Sequence, residues 1–448
     1  MALLVKIFIL LINFMFIIFN ELLELYSFKE IVIYLCIINY ITVILFDALK
    51  AKTISPYLLF QIPFGLFIIG RIIGWALDNN LNPNTINYFY NITLTDQKLV
   101  FYLLLGMIFY NSCSLGYEIS ILKKIKSLPM SLPTLNPTAI KGFILISVVI
   151  FVPLIILEII RTLKIVLDQG YAAMYLDKKE NVGNIFSMGM NILCICLGLT
   201  MLDNSYKKLT LILMIILFII CLTLLFMGSR GPIMTYILLF FWVYKRHKNI
   251  LKISIYGLGI LLIIQLLNSY VRTVSNYDNL LAKFIYDQGT TFIILPFLEY
   301  INDWPTVGLL QNFIPGISRF TSLFYDYPAY EANLANFLGY HLNPELHSLG
   351  NGLGWTVIAD AYIYSGKFIP LFSLYSIIFG FILGLFSISS KNNKFSLALI
   401  TTLTLQLSFL YRSGLFAIIP LMMYFFIVYF ILSIISYPFK LKKKNNFK

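Results

Sequence analysis

The sequence predicts an all-α, polytopic membrane protein of about twelve transmembrane helices, and three observations support this class. Of the 448 residues, 59% are hydrophobic and only 12% are charged, whereas soluble domains carry about 25% charged residues. Apolar runs of about 20 residues, the length that crosses a bilayer core, recur along the whole chain. The lysines concentrate in alternate loops between these runs, which is the pattern of the positive-inside rule.

The predicted spans follow the apolar runs and leave no polar stretch long enough for a soluble domain, so residues 1–448 form a single integral membrane domain. The first run lacks a basic leader beyond Lys6 and a good cleavage site, and we interpret it as a retained helix. The spans are 2–19, 31–49, 56–77, 98–121, 140–160, 184–202, 209–227, 232–244, 253–270, 368–388, 395–410 and 415–436.

Loop charge and the even number of spans together predict that both termini are cytoplasmic. Basic residues cluster in alternate loops, for example at Lys50, at Lys391 and in the tail 440–448. The opposite face carries the loops 78–97, 161–183 and 271–367. The last of these, between helices 9 and 10, is a large extracytoplasmic loop with short apolar runs such as TFIILPFLEY, which we expect to lie along the membrane interface or to re-enter it.

Several function classes are excluded by missing motifs. The net charge of +13 comes largely from loop lysines, so we expect no nucleic-acid partner. No phosphate-binding G-x-x-x-x-G-K-[ST] loop, H-E-x-x-H or D-x-D is present, and we predict no cofactor and no metal. All five cysteines fall in predicted spans, where they behave as small hydrophobic residues. The free thiols are Cys36, Cys113, Cys194, Cys196 and Cys221.

The arginines run against the orientation rule. Of seven in the chain, only Arg246 falls on the cytoplasmic side of the predicted topology. Arginine offers a planar fork of donors that matches phosphate oxygens and keeps its charge. An outward set of arginines is therefore a candidate diphosphate-binding site, although each one alone is equally well explained as a headgroup contact. The candidates are Arg230, Arg272, Arg412, Arg319 and Arg161.

Two short segments sharpen this hypothesis. In FMGSRGPIMTY, Arg230 lies between two glycines at the start of a predicted helix, and Pro232 suits the first helical turn. Backbone N–H groups at such a start favour an anion. In SFLYRSGLF, Arg412 lies in the tight turn between the last two spans.

The end of the large loop supplies candidate catalytic groups. Residues 343–367 contain Glu345, His347 and Asp360. A histidine or carboxylate beside a sugar hydroxyl can remove its proton as a general base. His347 titrates near neutrality without help, Asp360 lies on an apolar, helix-like stretch where a carboxylate is costly, and Glu345 follows a proline in a predicted exposed turn.

These features resemble the Wzy-type O-antigen and capsular polysaccharide polymerases of bacteria. The resemblance rests on a dozen spans, GSRG at an outer hairpin, HSLGNGLGWTVIADAYIYSGK (347–367) at the end of a large outer loop, and an Arg-Ser-Gly turn between the last two spans. Family members often carry Glu near the position of Asp360, and none of the outer arginines here has the Arg-to-Gly spacing found in some members.

The resemblance implies that a glycan on a polyprenyl diphosphate is transferred to a newly flipped, lipid-linked repeat unit at the outer face of the bacterial cytoplasmic membrane. Arginines would stabilise the departing diphosphate, and a flippase and a chain-length regulator would be possible partners. Two other classes remain open: a flippase or transporter for the same lipid-linked oligosaccharides, and a ligase-like transferase that passes finished glycan to another acceptor.

Overall fold

The computed structural model describes residues 2–20, 24–51, 53–88, 90–122, 135–169, 182–227, 229, 231–246, 279–349 and 352–445. Helices make up most of this part of the chain. Those of the first half are α1 (Ala2–Phe19), α2 (Lys29–Ala51), α3 (Pro56–Gln61), α4 (Phe64–Phe67), α5 (Gly70–Leu77), α6 (Asp96–Leu122), α7 (Pro137–Gln169), α8 (Val182–Thr200), α9 (Lys207–Phe226) and α10 (Gly231–Lys245).

The second half begins with short helices and ends with three long ones. The short helices are α11 (Leu280–Gln288), α12 (Ile294–Phe297), α13 (Thr306–Gln311), α14 (Ile317–Thr321), α15 (Leu334–Leu342), α16 (Pro344–Ser348) and α17 (Val357–Tyr364). The long helices are α18 (Ile369–Asn392), α19 (Lys394–Phe409) and α20 (Leu415–Asn445). Six 3₁₀ segments complete the helical structure of the described residues: Leu25–Phe28, Asn204–Tyr206, Gly289–Ile293, Leu298–Tyr300, Ala329–Ala332 and Leu410–Arg412.

The predicted class of a polytopic helical membrane protein is confirmed. Seven helices in the described residues are long and apolar enough to cross a bilayer, and one bent pair would make an eighth. Three shorter apolar helices, α1, α8 and α10, coincide with other predicted spans. The predicted ninth span, 253–270, lies outside the described residues, so the count of twelve stays a prediction.

Three elements differ from the sequence prediction. The third span is not continuous: it breaks between Phe67 and Gly70, and its two parts, Pro56–Phe67 and Gly70–Leu77, meet at 49°. The fifth span does not end at residue 160, since α7 continues to Gln169. The loop 78–97 contains two short antiparallel strands, β1 (Thr85–Tyr88) and β2 (Tyr90–Thr93), which an all-α prediction leaves out.

Helices α6 and α18 pack closely at the centre of the bundle. A side chain at Gly116 or Gly380 would collide with the backbone of the other helix, and one at Gly384 would meet Ser120. Small residues allow two membrane helices to approach closely, because packing rather than hydrophobicity holds them together in lipid. Helix α6 is therefore almost wholly enclosed by protein, as is α19.

A buried group of charges fixes one end of the bundle. Lys6 of α1 lies 2.5 Å from Asp47 of α2 and 3.6 Å from Glu118 of α6, and Lys50 also pairs with Glu118. The two positive and two negative charges neutralise one another, which a buried charge requires. The start of α1 and the ends of α2 and α6 thus lie at one end of the bundle, which we call the basic face.

The opposite end of α2 and α6 carries the long loops. Lys29 at the start of α2 pairs with Asp96 at the start of α6 at 2.8 Å. Two residues further along α6, Lys98 pairs with Glu299 of the segment 279–367 at 2.8 Å. The segments 78–97 and 279–367 therefore meet at the same end of the bundle, which we call the loop face.

The apolar run TFIILPFLEY, residues 291–300, is packed inside the protein at the loop face. Phe292, Ile294 and Phe297 are fully buried, and the run contacts α6 and α17. It is thus enclosed by the bundle and the loop, unlike a helix that lies on a membrane surface.

Candidate functional site

The carboxylate of Asp360 is buried at the point where the large loop meets the last two helices. Asp360 lies in the first turn of α17 and is 0% exposed. Its Oδ1 accepts hydrogen bonds from the side chains of Trp355 at 2.7 Å and Asn312 at 3.0 Å. Its Oδ2 accepts one from the backbone N–H of Leu415 at 2.7 Å. One carboxylate therefore joins α13, the chain before α17, and the start of α20.

Burial and hydrogen bonding act in opposite directions on this group. Loss of water raises the pKa of Asp360 to about 7, although the hydrogen bonds from Leu415, Trp355 and Asn312 each lower it. All three partners donate, which favours the ionised carboxylate. Asp360 is thus poised to change protonation near neutral pH, while its oxygens are already occupied by the protein.

The Arg-Ser-Gly turn sits directly on this carboxylate. Gly414 adopts a φ of 91°, a left-handed conformation that glycine adopts without a steric penalty. A Cβ at Gly414 would lie 2.5 Å from the Trp355 ring and 2.8 Å from Asp360 Oδ2. The turn therefore requires glycine both for its backbone and for the space above Asp360.

Arg412 is half-buried at the loop face. It donates from Nη1 to Oε1 of Gln288, at the end of α11, at 3.1 Å. Its guanidinium also lies over the rings of Phe67 and Phe409, at 5.8 and 5.9 Å. The partner in this hydrogen bond is a neutral amide, and the two rings present apolar surface beside the charge. Because a guanidinium forms strong charge-assisted hydrogen bonds with anionic groups, Arg412 remains a candidate for diphosphate binding.

The other predicted diphosphate-binding arginines have different settings. Arg161 is exposed on α7, and Arg319 is exposed on the short helix α14. Arg230 and Arg272 lie outside the described residues. Gly231, which follows Arg230 in the chain, begins α10 and packs against Phe409, three residues before Arg412.

Arg71, another outward arginine of the predicted topology, has a structural role. Its side chain is 4% exposed and donates to the carbonyl oxygens of Pro83, at 3.0 Å, and Thr85. Its guanidinium lies 4.3 Å from the centre of the Tyr286 ring. It joins the broken third span to the strand-bearing loop.

His347 and Asp360 belong to one aromatic cluster but lie at different ends of it. Trp355 contacts Trp304 edge-on at 5.8 Å, and Trp304 contacts Phe337 at the same distance. Phe337 contacts Tyr330 at 6.4 Å, and Tyr330 contacts His347 edge-on, also at 6.4 Å. These rings connect the two candidate bases, and we call them the aromatic cluster.

The surface end of the aromatic cluster holds the remaining candidates. Tyr330 and Tyr340 stack 3.9 Å apart, and both rings meet the edge of His347. Partial burial lowers the pKa of His347, so its imidazole is neutral and able to accept a proton at neutral pH. Glu345 is exposed in the first turn of α16. His341, which is not one of the candidate bases, is bonded through Nδ1 to the carbonyl of Phe337 at 2.9 Å.

Sequence reasoning missed the residues that support the site. Gln288 and Asn312 are 4% and 3% exposed, and each fixes one charged candidate. Glu299 was also missed. Burial raises the pKa of Glu299, but hydrogen bonds from Lys98 and Tyr102 outweigh that effect and hold it below its usual value. An isolated Gln, Asn or Glu in a loop has no sequence pattern that reveals such partners.

The fold and this site define the class of protein: a multi-span helical membrane protein with an arginine and titratable groups gathered at the loop end of its bundle. The chain belongs to the family of the O-antigen polysaccharide polymerase Wzy, whose model matches residues 1–443. Among the classes that the sequence left open, this family identifies a polymerase of O-antigen repeat units. No curated protein and no solved structure matches the chain significantly.

We expect Gly414→Ala to impair both stability and polymerisation. The substitution strains a left-handed backbone and pushes a methyl group into Trp355 and Asp360, which costs on the order of 1–3 kcal/mol. Thermal unfolding of the purified protein and polymer yield in cells would measure the effect. Gly352→Ala is the matched control, since a Cβ there meets nothing within 4 Å. Equal behaviour of the two variants would contradict the role assigned to this turn.

Proposed function

We propose that the polymerase transfers a growing glycan from polyprenyl diphosphate to the sugar end of a second lipid-linked repeat unit at the loop face. The anomeric carbon–oxygen bond to the diphosphate breaks, and the diphosphate leaves with the electron pair. The acceptor hydroxyl oxygen bonds to the anomeric carbon, and its proton passes to a base. The observation that carries this proposal is the half-buried Arg412, held in a rigid turn beside the aromatic cluster.

Arg412 is assigned to the departing diphosphate. Negative charge develops on that group in the transition state, and a fixed guanidinium stabilises it without reorganising. The Gln288 contact orients the fork, and the Asp360 anchor fixes the turn that carries it. Arg230 and Arg272 are proposed to contact the same diphosphate. Arg161 and Arg319, which are exposed, contribute positive potential that attracts the anionic substrate.

The contacts of Asp360 favour a positioning role over a catalytic one. Both of its oxygens accept hydrogen bonds from the protein, so proton transfer from a substrate would require a partner to leave. His347 has no such restriction: its ring is partly exposed beside two tyrosines, whose faces suit the apolar face of a sugar. We therefore rank His347 first as the base, Asp360 second and Glu345 third.

The proposed location is the bacterial cytoplasmic membrane, with twelve spans, cytoplasmic termini and the loop face outside. Lysines on the basic face and long loops at the opposite end support this orientation. A flippase would deliver the substrate to the loop face, and a chain-length regulator is a further proposed partner.

Orientation can be tested by labelling from outside intact cells. Cysteine introduced at Asn302, which is exposed in the loop, should react with an impermeant thiol reagent, whereas cysteine at Asn445 should react only after lysis. The five native cysteines are all buried, so the reagent should label them only weakly. Labelling of Asn445→Cys but not Asn302→Cys on intact cells would place the candidate site in the cytoplasm and refute the proposal.

Arg412→Lys tests the diphosphate contact. Lysine keeps the charge but loses the planar fork, and we expect polymerisation of purified lipid-linked repeat units to fall about 10²–10³-fold, the usual effect of removing a preorganised donor. Membrane insertion and thermal stability should stay close to wild type. The control is Arg319→Lys, at an exposed position, which should retain most activity. Normal polymer formation by Arg412→Lys would exclude the assigned role.

The pH profile distinguishes the two leading bases. A base must be deprotonated to act, so activity is lost as the pH falls through its pKa. With His347, whose pKa burial lowers, the acidic limb should lie below pH 6.5. If Asp360 is the base, the acidic limb should lie near pH 7. Polymerisation rates from pH 5 to 9 would measure the limb.

His347→Ala and Asp360→Asn are the accompanying variants. We expect His347→Ala to abolish the acidic limb and lower the rate about 10²–10⁴-fold at nearly unchanged stability. Asp360→Asn should lower thermal stability as well as activity, because an amide cannot accept all three hydrogen bonds. An unchanged limb in His347→Ala would reject that residue as the base.

A further inference from the structure

A cavity of about 460 Å³ opens at the basic face, far from the site described above. Its walls come from the connection between α2 and α3, the end of α10, and the turn between α18 and α19. Helix α19 begins at this cavity and ends three residues before Arg412. Its 16 residues span about 24 Å at 1.5 Å per residue. The cavity and the candidate catalytic site therefore occupy opposite ends of the bundle.

The lining of the cavity is cationic and polar. Its three charged side chains are Arg246, Lys391 and Lys394, and the described residues that line it include no carboxylate. The other polar lining residues are Thr53, Ser55, Ser387, Ser390, Asn392 and Asn393.

The cavity has features that orientation in the membrane does not require. The positive-inside rule places lysines on a face, but it does not require them to converge on a concavity. Three cationic side chains that line one concavity raise the positive potential inside it, which favours a bound anion. In addition, Asn393 caps α19 by accepting from the N–H of Phe395 at 2.9 Å, which places the positive end of that helix at the cavity.

We propose that this cavity binds a phosphate group at the basic face, as a second phosphate site distinct from the polymerisation site. The guanidinium of Arg246 suits two phosphate oxygens at once, and the two lysines add point charges. Hydroxyls and amides of the lining offer further hydrogen bonds. Trp242, Leu397 and Ile54 are buried and give the cavity an apolar wall. The volume falls in the usual range of small-ligand sites, about 300–1,000 Å³.

The same phosphate chemistry has two sources, an anionic phospholipid and a soluble phosphate. For the lipid arm, the full-length protein is reconstituted with equal amounts of phosphatidylglycerol and phosphatidylcholine, and retained lipid is counted by native mass spectrometry. For the soluble arm, the protein in neutral detergent is titrated with inorganic phosphate and glycerol 3-phosphate while thermal unfolding is followed. Neither readout depends on polymerisation, so failure here would leave the proposed reaction untouched.

The test variant is Arg246→Gln/Lys391→Gln/Lys394→Gln. Its control, Lys141→Gln/Lys207→Gln/Lys208→Gln, removes the same charge at exposed positions outside the cavity lining. We expect wild type and control to retain phosphatidylglycerol over phosphatidylcholine by roughly tenfold or more, and the test variant to lose that preference. If the triple variant fails to fold, Lys391→Gln and Lys394→Gln singly, both at exposed positions, should each reduce the preference severalfold.

The two arms distinguish a phospholipid ligand, a soluble phosphate ligand and the absence of a specific site. Loss of lipid preference in the test variant alone supports a lipid headgroup. Stabilisation by soluble phosphate in wild type and control, absent from the test variant, supports a soluble ligand. The proposal is overturned if test and control variants behave alike in both arms, because the retained anions would then follow overall charge rather than this cavity.

Discussion

The buried carboxylate of Asp360 is the contact on which the geometry of the loop face depends. The segment 279–367 and the turn 410–415 are separated in sequence by more than 40 residues. Asp360 holds them together through three hydrogen bonds, of which one reaches the backbone of α20. A buried carboxylate without hydrogen-bond donors would cost much free energy. Removal of any of the three donors should therefore destabilise the whole contact.

Two further sets of contacts stabilise the rest of the helix bundle. Close packing at Gly116 and Gly380 brings α6 against α18, and the charges of Lys6, Asp47 and Glu118 join α1, α2 and α6. A hydrogen-bonded chain connects this group to the loop face. Tyr57 donates to Asp47 at 2.6 Å and is in turn bonded to Gln61.

Gln61 accepts from Tyr411 at 2.8 Å, next to Arg412. The residue before the candidate arginine is therefore fixed from within the bundle, and the arginine itself is fixed from the loop by Gln288. Such double support suits a group that stabilises charge without moving. It also explains why two buried amides, Gln61 and Gln288, matter to a site in which neither needs to react.

The sequence alone determined the class and the candidate residues. Hydrophobic runs and lysine placement predicted a multi-span helical protein, because a bilayer demands long apolar helices and orients them by charge. Asp360 on an apolar helix and Arg412 in a tight turn were both recognised from local pattern. Each of these sequence patterns lies within about 20 consecutive residues, so it can be recognised without knowing the tertiary structure.

Only the tertiary structure decided which distant residues hold each candidate in place. The contact of Asp360 with Leu415, and of Arg412 with Gln288, joins residues 55 and 124 positions apart, and no local pattern encodes such a pair. The same holds for Arg71, an outward arginine of the predicted topology, whose side chain is held by the carbonyl groups of Pro83 and Thr85. Neighbouring residues determine the local secondary structure and the chemical groups present, whereas packing across the whole bundle determines which residues contact a buried charge.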